Sequence, residues 1–305
     1  MRPTTRLRAL LNAPEFLVMP GAHDALSAKR AERAGFEAIV MGGFPVTGSL
    51  LAAPDSSQLG LAEMAEHYRR VTGAVDVPLF VDADTGFGNV SNVRRTTREL
   101  ERAGVAGFFI EDQVFPKRCG HTPGKAVVPV EEMIAKVKVA ADTRTDGDLV
   151  LVARTDALAV EGLNAAIERA GLYREAGADM LFIEAPTSVD QMRRIISDLG
   201  GLHLANMIDF GMSPDHDAAE LHEIGYACGL WGLSSIFTMT KALIDLYDRI
   251  RADGTSARAR DRMVTFDEFT SIVGLPPMRE AEQSELDFAR SLVQAKDREQ
   301  SGQMR

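Results

Sequence analysis

Cysteine is nearly absent from this chain: there are two in 305 residues, Cys119 and Cys228. Thiols so far apart in an acidic, enzyme-sized sequence read as free, which excludes a fold stapled by disulfides. Positive charge is also in deficit. Lys and Arg number 34 against 44 Asp and Glu, a net charge of −10, and the basic residues are dispersed except around 117–121. Such a chain is not built to bind nucleic acid. Long apolar runs are missing too, and within residues 1–14 the run Leu10-Leu11 is far too short for a signal peptide or a membrane span. The expectation is a soluble, cytoplasmic protein with no membrane partner. No Gly-x-Gly-x-x-Gly turn follows the first apolar run, which counts against a dinucleotide-binding fold. No internal repeat or low-complexity block stands out.

What the chain does have is eight short runs rich in Val, Ile, Leu and Phe, at 16–22, 37–43, 77–84, 107–113, 149–156, 180–186, 202–208 and 225–233. Helical periodicity fills most of the gaps, as at 25–34, 92–103, 130–141, 163–176 and 189–199. Several of these stretches stop at a glycine, namely Gly35, Gly104 and Gly177. Strands that are apolar throughout belong to a parallel sheet covered on both faces. Eight such units predict an α/β fold, a closed (β/α)8 TIM barrel over residues 1–250, in preference to a doubly wound open sheet. Beyond 250 the pattern changes: 251–262 is polar, 266–275 is apolar and helical, and 279–305 is strongly charged. This predicts a C-terminal helical extension over 251–305 whose apolar part needs a partner surface and whose tail frays from about Lys296.

Polar residues collect where a barrel would use them. The runs end in Gly42-Gly43, Asp82-x-Asp84, Glu111-Asp112, Arg154-x-Asp156, Glu184 and Asn206, and the carboxyl ends of barrel strands form the active-site face. Asp82, Asp84 and Glu111 offer hard oxygen ligands from neighbouring strands. One direct carboxylate with water-mediated others suffices for Mg²⁺; the alternative is that these acids cap helices or pair with Arg94, Arg95 or Lys117. Asp82-Ala83-Asp84-Thr85-Gly86 is not a calcium loop, because the glutamate required at the twelfth position is Val93.

Cys119 lies in Lys117-Arg118-Cys119-Gly120-His121. Three potentially cationic neighbours in a glycine-containing loop predict a thiol pKa lowered from about 8.5 toward neutrality. Both nucleophile and general acid stay open on that basis, while Cys228, in an apolar run, reads as core. Arg154 and Asn206 suit the grip of a substrate carboxylate, the first through its fork and the second through its amide. Arg154 is also placed to pair internally with Asp156 or Glu184, and Glu184 to orient Arg154 or take a hydroxyl proton. His23, His67, His203, His216 and His222 show no metal spacing and read as structural or exposed. Trp231 and the methionines read as packing.

With its strand ends aligned, the sequence resembles the isocitrate lyase / phosphoenolpyruvate mutase superfamily over residues 10–275. The likeness is carried by Pro20-Gly21-Ala22-His23-Asp24-Ala25-Leu26-Ser27-Ala28, Pro54-Asp55, Val81-Asp82-Ala83-Asp84-Thr85-Gly86-Phe87-Gly88-Asn89, Ile110-Glu111-Asp112-Gln113, Lys117 to His121, Ala153-Arg154-Thr155-Asp156-Ala157 and Ala205-Asn206-Met207. The resemblance implies a homotetramer whose C-terminal helices swap between subunits. It also implies Asp55, Asp82, Asp84 and Glu111 around Mg²⁺, with Mn²⁺ able to substitute, and Cys119 as the catalytic acid of the lyase branch. The implied reaction is a retro-Claisen cleavage of a 2-hydroxy dicarboxylate to pyruvate and a carboxylic acid. In it Arg154, His121 and nearby donors hold the departing carbanion, Cys119 protonates it, and Lys117 and Glu184 join the catalytic set. The base is unassigned. Gly42, Gly43, Phe44, Asp55, Gly120, Arg154 and Asn206 fall to substrate binding.

Substrate choice turns on Gly42-Gly43-Phe44, where 2-methylisocitrate lyases resemble one another in Ser-Gly-Gly and the dimethylmalate lyase and petal death groups in Ser-Gly-Tyr. An aromatic at 44 fills space a tricarboxylate needs and sides with 2,3-dimethylmalate-like substrates. The missing serine at 42 fits neither group. Asn206-Met207-Ile208 looks dimethylmalate-like, and Asp209-Phe210-Gly211 is nearer the methylisocitrate pattern. The alternatives are methylisocitrate cleavage, oxaloacetate hydrolysis or decarboxylation, a carboxyphosphonoenolpyruvate-type mutase, and a barrel kept only for interaction.

Overall fold

The computed structural model describes residues 1–122 and 124–303, with the side chains of 297–303 outside that description. Of the tail expected to fray from about Lys296, the backbone through Gln303 continues the last helix, and residues 304–305 lie outside the description. The chain divides into two compact units, Met1–Lys241 and Ala242–Arg305.

The first unit contains eight parallel strands: β1 (Leu17–Pro20), β2 (Ile39–Met41), β3 (Leu79–Asp82), β4 (Gly107–Glu111), β5 (Val150–Thr155), β6 (Met180–Ile183), β7 (Leu204–Asn206) and β8 (Cys228–Trp231). Each lies inside one of the eight apolar runs. Strands β2 to β6 pair in sequence order, and β8 pairs with both β1 and β7. Single parallel bridges, Gly21 to Val40 and Leu181 to His203, join the two sheets and close the barrel.

The strands are apolar throughout because each of their two faces meets a different core. Ile39, Met41, Leu79, Val81, Phe108, Ile110, Leu151, Ala153 and Leu181 point outward into one buried cluster with residues of the surrounding helices, such as Tyr68, Leu100, Val137 and Tyr173. Met19, Val40, Phe80, Phe109, Val152, Phe182, Leu204, Cys228 and Leu230 alternate with them and fill the barrel interior. The interior also takes Leu7 and Leu11 from the helix Pro3–Leu11. That helix is tied to the turn before β5 by Thr4 to Asp146 at 2.7 Å and Thr5 to Asp148 at 2.6 Å. It therefore covers the amino-terminal end of the barrel and leaves the carboxyl end for chemistry.

The helices start where local chemistry tells them to. Asp24 and Ser27 form a capping box before the helix Ala25–Arg33, and Ser188 caps the helix Val189–Leu199.

The second unit holds the later part of the helix Ser234–Asp253, a 3₁₀ turn Ala257–Arg262, the helix Phe266–Ile272 and the helix Leu275–Gln303. The expected boundary at 250 falls within the first of these helices. Thr265 and Glu268 form its second helix's capping box, and Arg262 pairs with Asp245 at 3.7 Å. Among the described residues no helix is long and apolar enough to cross a membrane.

Candidate active site

At the carboxyl end of the barrel, a cavity of about 60 Å³ is bordered by Gly43, Phe44, Asp55, Asp82, Lys117, Cys119 and Gly120, with His121, Arg154, Glu184 and Asn206 completing its polar wall. Every substrate-binding and catalytic residue expected from the sequence lines it. Of the three expected metal ligands, Asp82 lines it, while Asp84 and Glu111 are buried against the lining residues Lys117 and Arg154.

The acidic side is built from β3 and β4. Asp82 Oδ2 accepts the Gly43 amide at 2.9 Å and its Oδ1 accepts the Asp84 amide at 2.7 Å. Gly43 opens the helix Gly43–Leu51, and a Cβ there would fall 3.0 Å from Asp82 Oδ2 and 3.1 Å from Asp84 Oδ1. Glycine at 43 thus lets the backbone approach the acids without displacing them. Lys117 Nζ stands 2.7 Å from Asp55 Oδ2 and 3.0 Å from Asp84 Oδ1. Burial opposes charge on this lysine, but the surrounding acids outweigh it and hold it firmly protonated.

Asp84 Oδ1 and both Glu111 oxygens are buried without a well-aligned hydrogen bond, their nearest cations being Lys117 Nζ at 3.0 Å from Asp84 and Arg154 Nη1 at 3.2 Å from Glu111. Burial pushes Asp84 up to about 7 against the pull of Lys117, and pushes Glu111 well above the usual carboxylate range against the pull of Arg154. Desolvated carboxylate oxygens short of well-aligned donors are what a divalent cation satisfies. A magnesium-type ion keeps several waters and needs few direct protein ligands. The residues present therefore fit such an ion.

Glu111 and Asp112 part ways. Asp112 turns from the cavity and accepts Thr155 Oγ1 at 2.7 Å, Tyr173 OH at 2.8 Å and the Asp156 amide at 2.9 Å. It braces β4 against β5.

The opposite wall is a chain of polar contacts. Glu184, just past β6, accepts Asn206 Nδ2 at 3.2 and 3.3 Å and stands 3.0 Å from His121 Nε2. His121 Nδ1 accepts the Met212 amide at 2.9 Å, so the proton of the neutral ring sits on Nε2, facing Glu184. Burial pushes Glu184 up, but Arg154 and His121 outweigh it and keep its carboxyl below the ordinary range. Arg154 closes its fork on Asp156, with Nε at 2.9 Å and Nη2 at 3.1 Å. Its Nη1 meets Glu111 at 3.2 Å, and its guanidinium stands 5.1 Å from the ring centre of Phe182 and 5.9 Å from that of Phe109. The fork expected for a substrate carboxylate is thus committed inside the protein, to Asp156 and Glu111, although the side chain still borders the cavity.

Between the two walls stands Cys119. Its pKa is raised, not lowered: burial pushes the thiol up, and Glu184 adds to that against a hydrogen bond from the His121 backbone and the charge of Arg154. The expectation from neighbouring cations fails because Lys117 is directed to Asp55 and Asp84 and His121 to Glu184. A thiol that keeps its proton is a donor rather than a nucleophile. Gly120 follows it because a Cβ there would meet Arg154 Nη2 at 2.3 Å and Glu184 Oε1 at 2.4 Å.

Sequence reasoning missed several contributors. The aromatic floor of Phe109 and Phe182 reads only as core, and Lys125, paired with Asp156 at 2.8 Å, has no signal in a loop of mixed composition. Tyr68, whose hydroxyl donates to the Asp82 carbonyl at 2.7 Å, reads as helix packing. Asp156 did leave a trace, since residues two apart on a strand share a face with Arg154.

A closed eight-stranded barrel with a cluster of buried acids and a protonated thiol at its carboxyl end has the make-up of a barrel enzyme. The sequence matches the family described as phosphoenolpyruvate phosphomutase over residues 7–251, and the chain belongs to the phosphoenolpyruvate mutase/isocitrate lyase superfamily. It is 44% identical over 282 residues to 2,3-dimethylmalate lyase of Eubacterium barkeri, covering 92% of this chain and 98% of that one. It is 42% identical over 294 residues to 2-methylisocitrate lyase of Escherichia coli K12, covering 95% and 98%. A crystal structure of 2,3-dimethylmalate lyase superposes with a TM-score of 0.89 at 33% identity, over 93% of this chain and 96% of that one. Phosphonopyruvate hydrolase in complex with oxalate and Mg²⁺ superposes with a TM-score of 0.85 at 30% identity, over 94% and 100%.

Proposed function

We propose that the protein is a Mg²⁺-dependent carbon–carbon lyase that splits a 2-hydroxy dicarboxylate of the 2,3-dimethylmalate type into pyruvate and a second carboxylic acid. The observation that carries this reading is the sharing of one cavity by a desolvated acid cluster and a protonated thiol. Such a site suits a reaction that builds negative charge on oxygen at one end and protonates a carbanion at the other.

Asp55, Asp82, Asp84 and Glu111 would hold Mg²⁺ or a substituting Mn²⁺, which would supply Lewis-acid stabilisation of the forming 2-oxo acid. The chain's own residues do the rest. The Gly43 amide is committed to Asp82, so the backbone at Gly42 and Gly43 shapes the pocket while Phe44 limits its volume. Lys117 balances the acids. Arg154 and Asn206 orient the departing carboxylate, with Glu184 and His121 fixing both. As the hydroxyl proton leaves and the C2–C3 bond breaks, the bond's electron pair passes to C3. Cys119 gives its proton there, and the proton taken from the hydroxyl returns to the thiolate.

The aromatic ring of Phe44 at the border of the cavity supports a malate-type substrate over the bulkier methylisocitrate. A cytoplasmic homotetramer that covers the apolar residues of the second unit with neighbouring subunits completes the reading.

Pyruvate release from dimethylmalate, methylisocitrate, isocitrate and oxaloacetate, with Mg²⁺ and with EDTA, tests it. Cleavage of a hydroxy acid that EDTA abolishes and Mg²⁺ restores is expected. No C–C cleavage of any hydroxy acid, or activity indifferent to EDTA, overturns it.

A further inference from the structure

We propose that Lys125 is a positioning residue for the cleavage, fastening the backbone between Cys119 and His121 to the Asp156–Arg154 pair on the barrel. The reaction it serves is the lyase reading above, but its own observations are independent of any substrate. Cys119 sits on a hairpin-like excursion whose legs are joined by the Gln113–Val127 bridge and by the Val114 amide donating to Ala126 O at 2.8 Å. Gln113 holds the near leg by accepting the Arg118 amide at 3.1 Å and donating to the Arg118 carbonyl at 2.9 Å. Beyond them the tip is held through side chains, Lys117 on Asp55 and His121 on Glu184 and the Met212 amide, and none of these contacts ties the backbone at Gly120 to the barrel.

Lys125 supplies that connection. Its side chain is 3% exposed although it belongs to a surface excursion, and Nζ lies 2.8 Å from Asp156 Oδ1. The same ammonium donates to the Gly120 carbonyl. Asp156 in turn chelates Arg154 through both oxygens. An ammonium leaves water only where it is paired and hydrogen-bonded, and a solvated lysine would serve an ordinary hairpin equally well. Lys125 is not among the residues lining the cavity, so it acts through Gly120 and Asp156 rather than on substrate. It thereby ties the thiol and the imidazole on either side of Gly120 to the strand that carries Arg154.

The test compares Lys125→Met, which keeps the length and removes the charge, with Lys125→Arg, which keeps charge and donors. Two quantities are read: kcat and KM on the cleaved acid, and the rate of Cys119 alkylation by iodoacetamide, with buried Cys228 as the silent thiol. Loss of a nearby cation alone disfavours the thiolate and slows alkylation, so acceleration reports the position of the loop. In Lys125→Met, alkylation about tenfold faster is expected, as for a segment whose local opening has become easier. A kcat lower by about 10²-fold with KM little changed should accompany it, the size of a small misplacement, and Lys125→Arg should restore most of both. The proposal is overturned if Cys119 alkylates as slowly in Lys125→Met as in the wild type, or if Lys125→Arg shares the acceleration in full. Should Lys125→Met fail to fold, Lys125→Gln is read by the same criterion. A wild-type protein that cleaves no hydroxy acid overturns the lyase reading, and the alkylation comparison then decides the role of Lys125 alone.

Discussion

Cys119 shows how one residue can be found from its neighbours and misjudged from them. Three basic residues within two positions point to a reactive thiol, but Lys117 is directed to Asp55 and Asp84, and His121 to Glu184. Burial decides the balance and leaves the thiol protonated. Gly120 is a sharper test of the same geometry. A methyl group there would land 2.3 Å from Arg154 Nη2 and 2.4 Å from Glu184 Oε1, displacing side chains the chemistry needs while leaving the core untouched. Gly120→Ala should lower kcat by about 10²-fold with the melting temperature nearly unchanged; wild-type kcat in that variant would mean the wall tolerates the shift. Glu111 and Asp112 were legible as strand-end acids. Which of the two faces the cavity was not, because strand alternation fixes opposite faces only once the strand's inner face is known.

At the scale of elements, the eight strands and their helices were readable because burial on both faces imposes an apolar run, and glycines stop the helices that follow. Closure was less so. It rests on two single bridges, and one of them involves His203, which a sequence leaves as structural or exposed. His203 is 1% exposed, and its Nε2 faces the Gly200 carbonyl at 2.8 Å. Burial pulls it from 6.5 down to about 4, against that hydrogen bond. The unfolded chain therefore binds this proton between about pH 6.5 and 4 while the fold refuses it. Stability is complete above 6.5 and falls as pH drops through that window, by about 3 kcal/mol for a shift of this size. Denaturant titrations at pH 7 and 4.5 should show a smaller loss for His203→Gln than for the wild type; equal losses would remove His203 from the pH dependence of the barrel.

For the whole molecule, the second unit leaves large apolar side chains in water when taken alone. Phe266 is 81% exposed and Phe288 65%, and Leu292 lies one helical turn beyond Phe288. Residues of this kind at helical spacing mark a surface made to be covered. The sequence showed that an apolar helix without a partner lay beyond residue 262; a single chain cannot show what covers it. If neighbouring subunits do, sedimentation of the wild type at micromolar concentration should give a tetramer, and Phe288→Asp with Leu292→Asp should dissociate it. A wild-type monomer would contradict the proposed assembly.

Steady-state pyruvate release from 2,3-dimethylmalate with Mg²⁺, comparing the wild type with Cys119→Ala, bears most directly on the proposed chemistry. Turnover by the wild type and a kcat lower by about 10²- to 10⁴-fold in Cys119→Ala, the range for a lost general acid, is the predicted result. Undiminished turnover in Cys119→Ala would contradict the assignment of the thiol as the proton donor.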